Sequence, residues 1–198
     1  MQMLDNRRFL WLAYLLAALL VAAYGWLLFW NDATFGMGDS VSHYLLARHA
    51  WGSPEQILDH WAKPVFQLLM VIPAQFGIYG VVAANGLFML LALLAMADIA
   101  RRQGIPGYPL LLAFGLLAPL VLRVTLSSLT EPVFAALLAA SIWAYFTRRF
   151  VLSAALFSFL PFVRTEGMVY KWCGYLPWQW CGSGAPCRGC CWGLCCLP

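Results

Sequence analysis

The chain has 198 residues, of which 63% are hydrophobic and only 10% charged, with a formal net charge of +4. A mean hydropathy of +0.77 is not the value of a soluble core. Long uninterrupted apolar runs place the chain with membrane proteins instead.

The first run, Phe9 to Trp30, carries no charge. It is long enough to cross a bilayer core about 30 Å thick, which takes roughly 20 residues. A cleaved signal peptide is the alternative, with Arg7 and Arg8 as its basic start. That apolar run is longer than a signal sequence uses, and more apolar sequence follows Ala22-Ala23-Tyr24-Gly25. Next comes a polar loop, Asn31 to Lys63, holding Asp32, Asp39, His43, Arg48, His49, Glu55, Asp59, His60 and Lys63. Within it, Ser40 to Trp51 has helical character. Val41, Tyr44, Leu45 and Trp51 form one stripe that Arg48 shares, and His43 lies opposite, which suits a helix lying on the membrane surface.

Pro64 to Ala100 is apolar throughout. Pro73, Gly77 and Gly80 break its first part, so Pro64 to Gly77 reads as an interfacial or re-entrant segment. The remaining spans follow from three arginine pairs, Arg7-Arg8, Arg101-Arg102 and Arg148-Arg149, because basic residues gather in cytoplasmic loops. With every pair inside, span one runs outward. Span two returns over about Tyr79 to Ala100, span three leaves over Tyr108 to Leu122, span four returns over Pro132 to Phe146, and span five leaves over Val151 to Val163. The expected fold is an all-α polytopic membrane protein with about five transmembrane helices and outer-surface amphipathic helices in the first loop. Its N-terminus is cytoplasmic, in a bacterial plasma membrane.

This topology puts the first polar loop outside, together with Arg123, Ser127, Ser128, Thr130 and Glu131 and then Arg164, Thr165 and Glu166. Ionisable groups gathered at one face of a membrane protein mark a candidate site. Solvated helix ends would give a similar pattern. Asp39 has its own bland alternative as a helix N-cap, a role Ser40 could share.

Four segments together resemble the GT-C superfamily, integral-membrane glycosyltransferases that use polyprenyl-phosphate-linked sugars. "GDSVSHYLLARHAW" resembles the segment after the first span, where that family carries an acidic residue. "WAKPVFQLLMVIPAQFG" resembles the Pro-containing piece leading to the second span, and "SSLTEPVFAALLAASIW" the outer end of the fourth. "RTEG", Arg164 to Gly167, resembles a later outer-face motif of mannosyltransferase-like members. The resemblance covers roughly residues 5 to 170. It departs from the family in lacking a paired acid beside Asp39 and in having fewer spans.

The resemblance implies transfer of a hexose, such as mannose, from a polyprenyl-phosphate donor to a glycan, lipid or protein acceptor on the outer face. Membrane lipids are the other expected partners; nucleic acid is not one. Asp39 is the expected general base, since a carboxylate must take the acceptor hydroxyl's proton. Lys63, Arg123 and Arg164 are candidates for the departing phosphate. Glu131 would position the acceptor or share a divalent cation with Asp39. His43, His60 and Glu166 complete the substrate-binding set. No metal is demanded, because the His and Asp residues lack a recognisable ligand spacing. A transporter component or a non-catalytic assembly subunit is the alternative. Transporters, however, place ionisable groups near the bilayer midplane, whereas Asp98 lies at a cytoplasmic end.

Residues 1–170 thus read as the N-terminal part of a GT-C-like domain, and residues 171–198 as something else. All seven cysteines fall in this tail. Cys187 and Cys190 make a CxxC, but Cys191 and Cys195-Cys196 spoil the second half of a zinc pattern. Palmitoylation is a further option. The preferred reading is a shifted frame: a leucine codon CTG read one base late becomes TGC or TGG, so a Leu-rich span becomes Cys and Trp. On this reading the chain lacks the later spans that wall the donor groove and is inactive, and small-residue faces such as Ala135 to Ala140 lack partners.

Overall fold

The structure, a computed structural model, describes residues 38–169 except His60 and Pro109, together with Leu15, Leu19, Ala22, Ala23 and Trp26. Those five upstream residues are helical; the rest of the first expected span and the whole cysteine-rich tail lie outside the described residues. Among the described residues every regular element is helical and none is a strand.

Helix α1, Gly38–His49, opens the described stretch. A 3-10 turn, Pro54–Leu58, leads to α2, Pro64–Gln75, whose first residue is a proline, as suits a position with no intrahelical amide bond to lose. Gly77, at φ 81°, makes the turn into α3, Ile78–Arg102. The break expected between Pro64–Gly77 and the second span is therefore present. Among the described residues α3 is the one helix long and apolar enough to cross a membrane; at 25 residues it extends about 37 Å.

The third expected span differs from the reading of Tyr108 to Leu122 as one helix. It divides into α4, Leu110–Leu117, and α5, Pro119–Thr125. Pro119 has no amide hydrogen and crowds the residue before it, so Ala118 is extended at ψ 122° and the helix restarts. The stretches expected as the fourth and fifth spans form shorter apolar helices, α6, Glu131–Phe146, and α7, Phe150–Phe159, which is prolonged by a 3-10 turn, Leu160–Phe162.

Helices α3 and α6 pack most extensively and run parallel. Near their starts Asn85 bonds the loop preceding α6, and near their ends Asp98 bonds Trp143. The seam is made of small residues, Ala92 against Ala136 and Ala139. This corrects the expectation that Ala135 to Ala140 lack a partner: α3 supplies it, since alanines let two helix backbones approach closely. Helix α7 runs back alongside α6 and returns the chain to the starting end. There a core of Ala47, Phe66, Met70, Ala74, Val81, Val133 and Val163 joins α1, α2, α3, α6 and the end of α7. A second cluster, including Met89, Leu93, Leu112 and Leu116, seats α4 on α3.

Helix α1 shows an unusual polarity of packing. Its buried face is Ser40, His43 and Ala47, while Val41 and Leu45 are exposed. Trp51 lies beyond its end and is exposed too; Tyr44 is half-buried against the core. The apolar stripe thus faces away from the protein, and the polar side faces in.

At the far end, α6 closes with the hydrogen-bond pair of a left-handed cap. The Arg149 amide donates to Ala144 O at 2.8 Å and the Arg148 amide to Tyr145 O at 3.0 Å. Arg148 itself sits at φ 62°, among the described residues the one non-glycine residue in the left-handed region, at a cost of about 1 kcal/mol.

Candidate functional site

The glutamate at the first position of α6 is fixed by the loop before it. Asn85, fully buried on α3, donates from Nδ2 to Ser127 O at 2.7 Å and to Leu129 O at 3.0 Å. The Ser128 amide donates to Ser40 Oγ at 2.8 Å. One buried asparagine and one buried serine therefore tie this loop to α3 and α1 together. Breaking these bonds would leave buried donors and acceptors unpaired, which favours this placement of the loop, although Asn85 Oδ1 and Ser128 Oγ have no partner of their own. Glu131 is delivered from it toward the end of α7. Gly167 makes the matching contribution, since a side chain there would collide with the Leu160 carbonyl, and the Arg164–Gly167 turn folds closely over α7.

These segments enclose an open cavity of about 220 Å³. Asp39 and His43 come from α1, Trp61 and Lys63 from the approach to α2, Thr130 and Glu131 from the start of α6, and Arg164, Thr165 and Glu166 from the turn after α7. Of the eight residues singled out from the sequence, six line this one cavity: Asp39, His43, Lys63, Glu131, Arg164 and Glu166. His60 lies outside the described residues. Arg123 is a correction. It sits on α5, exposed, and does not line the cavity. Helix α5 buries Thr125, and two positions along a helix is a rotation of about 200°, so Arg123 points to the opposite side.

Arg164 is not a free cation. Its Nη1 pairs with Glu131 Oε1 at 2.5 Å and its Nη2 with Glu166 Oε1 at 2.7 Å. The guanidinium bonds of Arg164 lower the Glu166 carboxyl from 4.5 to about 2, helped by a backbone hydrogen bond within Glu166 itself. The same two carboxylates hold Arg164 firmly protonated against its partial burial, the Glu166 hydrogen bond being the larger influence. By contrast, among the described residues neither the Asp39 carboxylate nor the Lys63 ammonium makes a hydrogen bond or ion pair. Asp39 occupies the first turn of α1, one residue inside the helix start, where its charge meets the positive end of the helix dipole. The capping position itself precedes Gly38.

His43 is buried, with its ring edge-on to Phe66 at 5.6 Å, and its Nδ1 has no hydrogen-bond partner. Burial pushes its pKa down; Asp39 and Glu131 pull it up and Lys63 and Arg164 add to the push down. It is therefore a neutral imidazole at neutral pH. Glu131 Oε2 is likewise buried and unpartnered. The cavity thus offers an unengaged carboxylate, an unengaged ammonium and two orphaned polar atoms. The two orphaned atoms, His43 Nδ1 and Glu131 Oε2, are buried and costly to leave without a partner, whereas Asp39 is exposed and Lys63 half-buried, so both charges are open to solvent and to a ligand.

Trp61, Thr130 and Thr165 also line the cavity, and sequence reasoning did not single them out as site residues. Nor did it single out Asn85, for which a signal existed: it is the lone amide in the apolar run from Ile78 to Ala97. Among the described residues no group of three or more His, Cys, Asp or Glu side chains is placed to hold a metal ion. Comparison with protein-family models, with curated proteins and with solved structures gives no match.

Proposed function

We propose that this cavity is the lipid-donor site of a membrane glycosyltransferase of the GT-C kind, moving a hexose from a polyprenyl phosphate to an acceptor hydroxyl. One observation carries the reading. Asp39, His43, Lys63, Glu131, Arg164 and Glu166, scattered over more than a hundred residues, meet in a single cavity. That cavity lies at the opposite end of α3 and α6 from Arg101, Arg102, Arg148 and Arg149.

A polytopic arrangement completes the proposal. Large apolar side chains are exposed along α2, α3, α4 and α7, among them Leu68, Ile72, Leu87, Phe114 and Val151, the last 86% exposed. Surfaces of this extent seek a partner, and a bilayer is the one that covers all sides of a bundle at once. The outward apolar stripe of α1 then rests at the headgroup level, beside the cavity mouth.

In this scheme the bond between the anomeric carbon and the donor phosphate oxygen breaks, and the acceptor oxygen bonds that carbon. The acceptor proton passes to the Asp39 carboxylate and the polyprenyl phosphate departs against Lys63. Arg164 is engaged with two carboxylates, so its role here is to hold Glu131 rather than to bind phosphate. Glu131 Oε2 and His43 Nδ1 are placed to take hydrogen bonds from sugar hydroxyls.

The test is equilibrium binding of a short-chain polyprenyl-phosphate mannose to the purified chain in lipid nanodiscs. Saturable binding is expected, weakened about tenfold by Lys63→Ala, with no competition from the free polyprenol. Absence of saturable binding, or equal competition by the polyprenol, rejects a phosphate-reading site.

A further inference from the structure

The end of the bundle remote from the cavity carries a second constellation. Asp98, near the close of α3, receives Arg101 Nε and Nη2 on Oδ1 at 3.1 and 2.5 Å. Its Oδ2 receives Arg102 Nε at 2.6 Å and Trp143 Nε1 at 2.8 Å from α6. A carboxylate offers about four acceptor sites, and these four donors occupy them. The Arg149 guanidinium lies over the Trp143 ring, 5.5 Å from its centroid. So one carboxylate and one indole gather arginines from the end of α3 and from the turn that follows α6.

Among the described residues Asp98 pairs with Arg101 and Arg102, whereas Arg148 and Arg149 form no ion pair; the other described acids, Asp39, Glu55, Asp59, Glu131 and Glu166, belong to the cavity end and its flanking loop. The excess positive charge borders exposed Phe150, Val151 and Leu152 at the start of α7. A second observation points the same way. Arg148 occupies the left-handed cap position that glycine fills at lower cost. Strain kept at a position where a simpler residue would relieve it suggests that the side chain has a task.

We propose that this arginine cluster, organised by Asp98 and Trp143, binds the phosphate of an anionic phospholipid headgroup in the leaflet opposite the cavity. Guanidinium groups suit phosphate oxygens through paired donors, and the adjoining apolar surface of α7 accommodates the acyl chains. The site uses no residue of the cavity, and it shares with the proposed function only the placement of the bundle in a bilayer.

Native mass spectrometry of the full chain, delipidated in neutral detergent and offered equimolar phosphatidylglycerol and phosphatidylcholine, tests it. Retention of phosphatidylglycerol should exceed that of phosphatidylcholine on the order of 25-fold, about fivefold for each of Arg148 and Arg149. Arg148→Gln with Arg149→Gln, neither of which touches Asp98, should cut this preference roughly 25-fold. Lys63→Ala should leave it unchanged. Arg148→Gly separates a binding role from a structural one: the thermal midpoint should rise as the strain is relieved, while the preference falls about fivefold. Equal retention of both lipids, or an unchanged preference in the double glutamine variant, overturns the proposal alone. Displacement of phosphatidylglycerol by millimolar inorganic phosphate overturns the lipid as the source of the anion. A chain that retains neither lipid and stays monomeric without detergent overturns the bilayer placement as well.

Discussion

Asp98 and Glu131 are both carboxylates at ends of the α3–α6 pair, and they are treated oppositely. Every acceptor position of Asp98 is taken by Arg101, Arg102 and Trp143. Glu131 has one oxygen on Arg164 and the other buried without a partner. Asp39, beside it, is unpaired among the described residues, and so is Lys63. A saturated carboxylate has spent its hydrogen-bonding capacity on architecture. One left half-satisfied among unengaged charges retains capacity for something else. The proposed donor site draws on that spare capacity, whereas the proposed lipid site draws on the arginines around Asp98 rather than on the carboxylate itself.

The largest effect that would sharpen this contrast is on turnover. The proposed donor site assigns the acceptor hydroxyl's proton to Asp39. Asp39→Asn should then lower the transfer rate at least about 100-fold, the usual scale for loss of a general base. Donor binding should change little. Near-normal transfer by the variant would reduce Asp39 to a first-turn charge that favours the helix dipole.

Next in size is the loop that delivers Glu131. Asn85→Ala leaves the Ser127 and Leu129 carbonyls without their donor and should cost about 2 kcal/mol, read as a lowered thermal midpoint in detergent. Donor binding should weaken with it, because Glu131 loses its placement. Asp98→Asn should cost less, about 1 kcal/mol, since the arginines that bind it are half exposed and solvent screens them. It should leave donor binding intact. If Asp98→Asn abolished donor binding while Asn85→Ala spared it, the assignment of roles to the two ends would be reversed.

The smallest expected effect is on pH dependence. The His43 pKa is lower in the fold than in the unfolded chain, so below its ordinary value the unfolded state takes up the proton first. Stability is then full above about 6.5 and declines as the pH falls through the folded pKa. His43→Gln should flatten that decline. Glu166 acts in a lower window with the same sign: its contribution is present above 4.5 and is lost as the pH falls toward about 2. Thermal melts from about pH 7 to about pH 2 separate the two, since only the upper part should respond to His43→Gln.

The residues of the cavity were largely legible in the sequence, because charge is conspicuous in an apolar chain. The arginine pairs oriented the helices, and orientation alone sorted Asp39, Lys63, Glu131 and Arg164 to one end. What could not be read was rotation and pairing. Arg123 lies not in a loop but in the last turn of α5, which Pro119 restarts, and it does not line the cavity. Arg164 looked like a phosphate ligand, yet two carboxylates from different segments already hold it. The outward stripe of α1 was legible, with His43 opposite it, but periodicity did not show that the polar side carrying Ser40 and His43 would be buried against the protein rather than solvated. Asn85 shows the same limit: a single amide is visible in the string, but its two carbonyl partners lie more than forty residues away.

The central claim is that a polyprenyl-phosphate sugar occupies the unsatisfied end. The most direct measurement is photocrosslinking of a benzophenone-bearing polyprenyl-phosphate mannose to the chain in nanodiscs, with the adduct mapped by peptide sequencing. The account predicts adducts within residues 39–63 and 129–131, suppressed by Lys63→Ala and unaffected by Arg149→Gln. Adducts confined to the segments around Arg102 and Arg149, or a cavity pattern indifferent to Lys63→Ala, would contradict it.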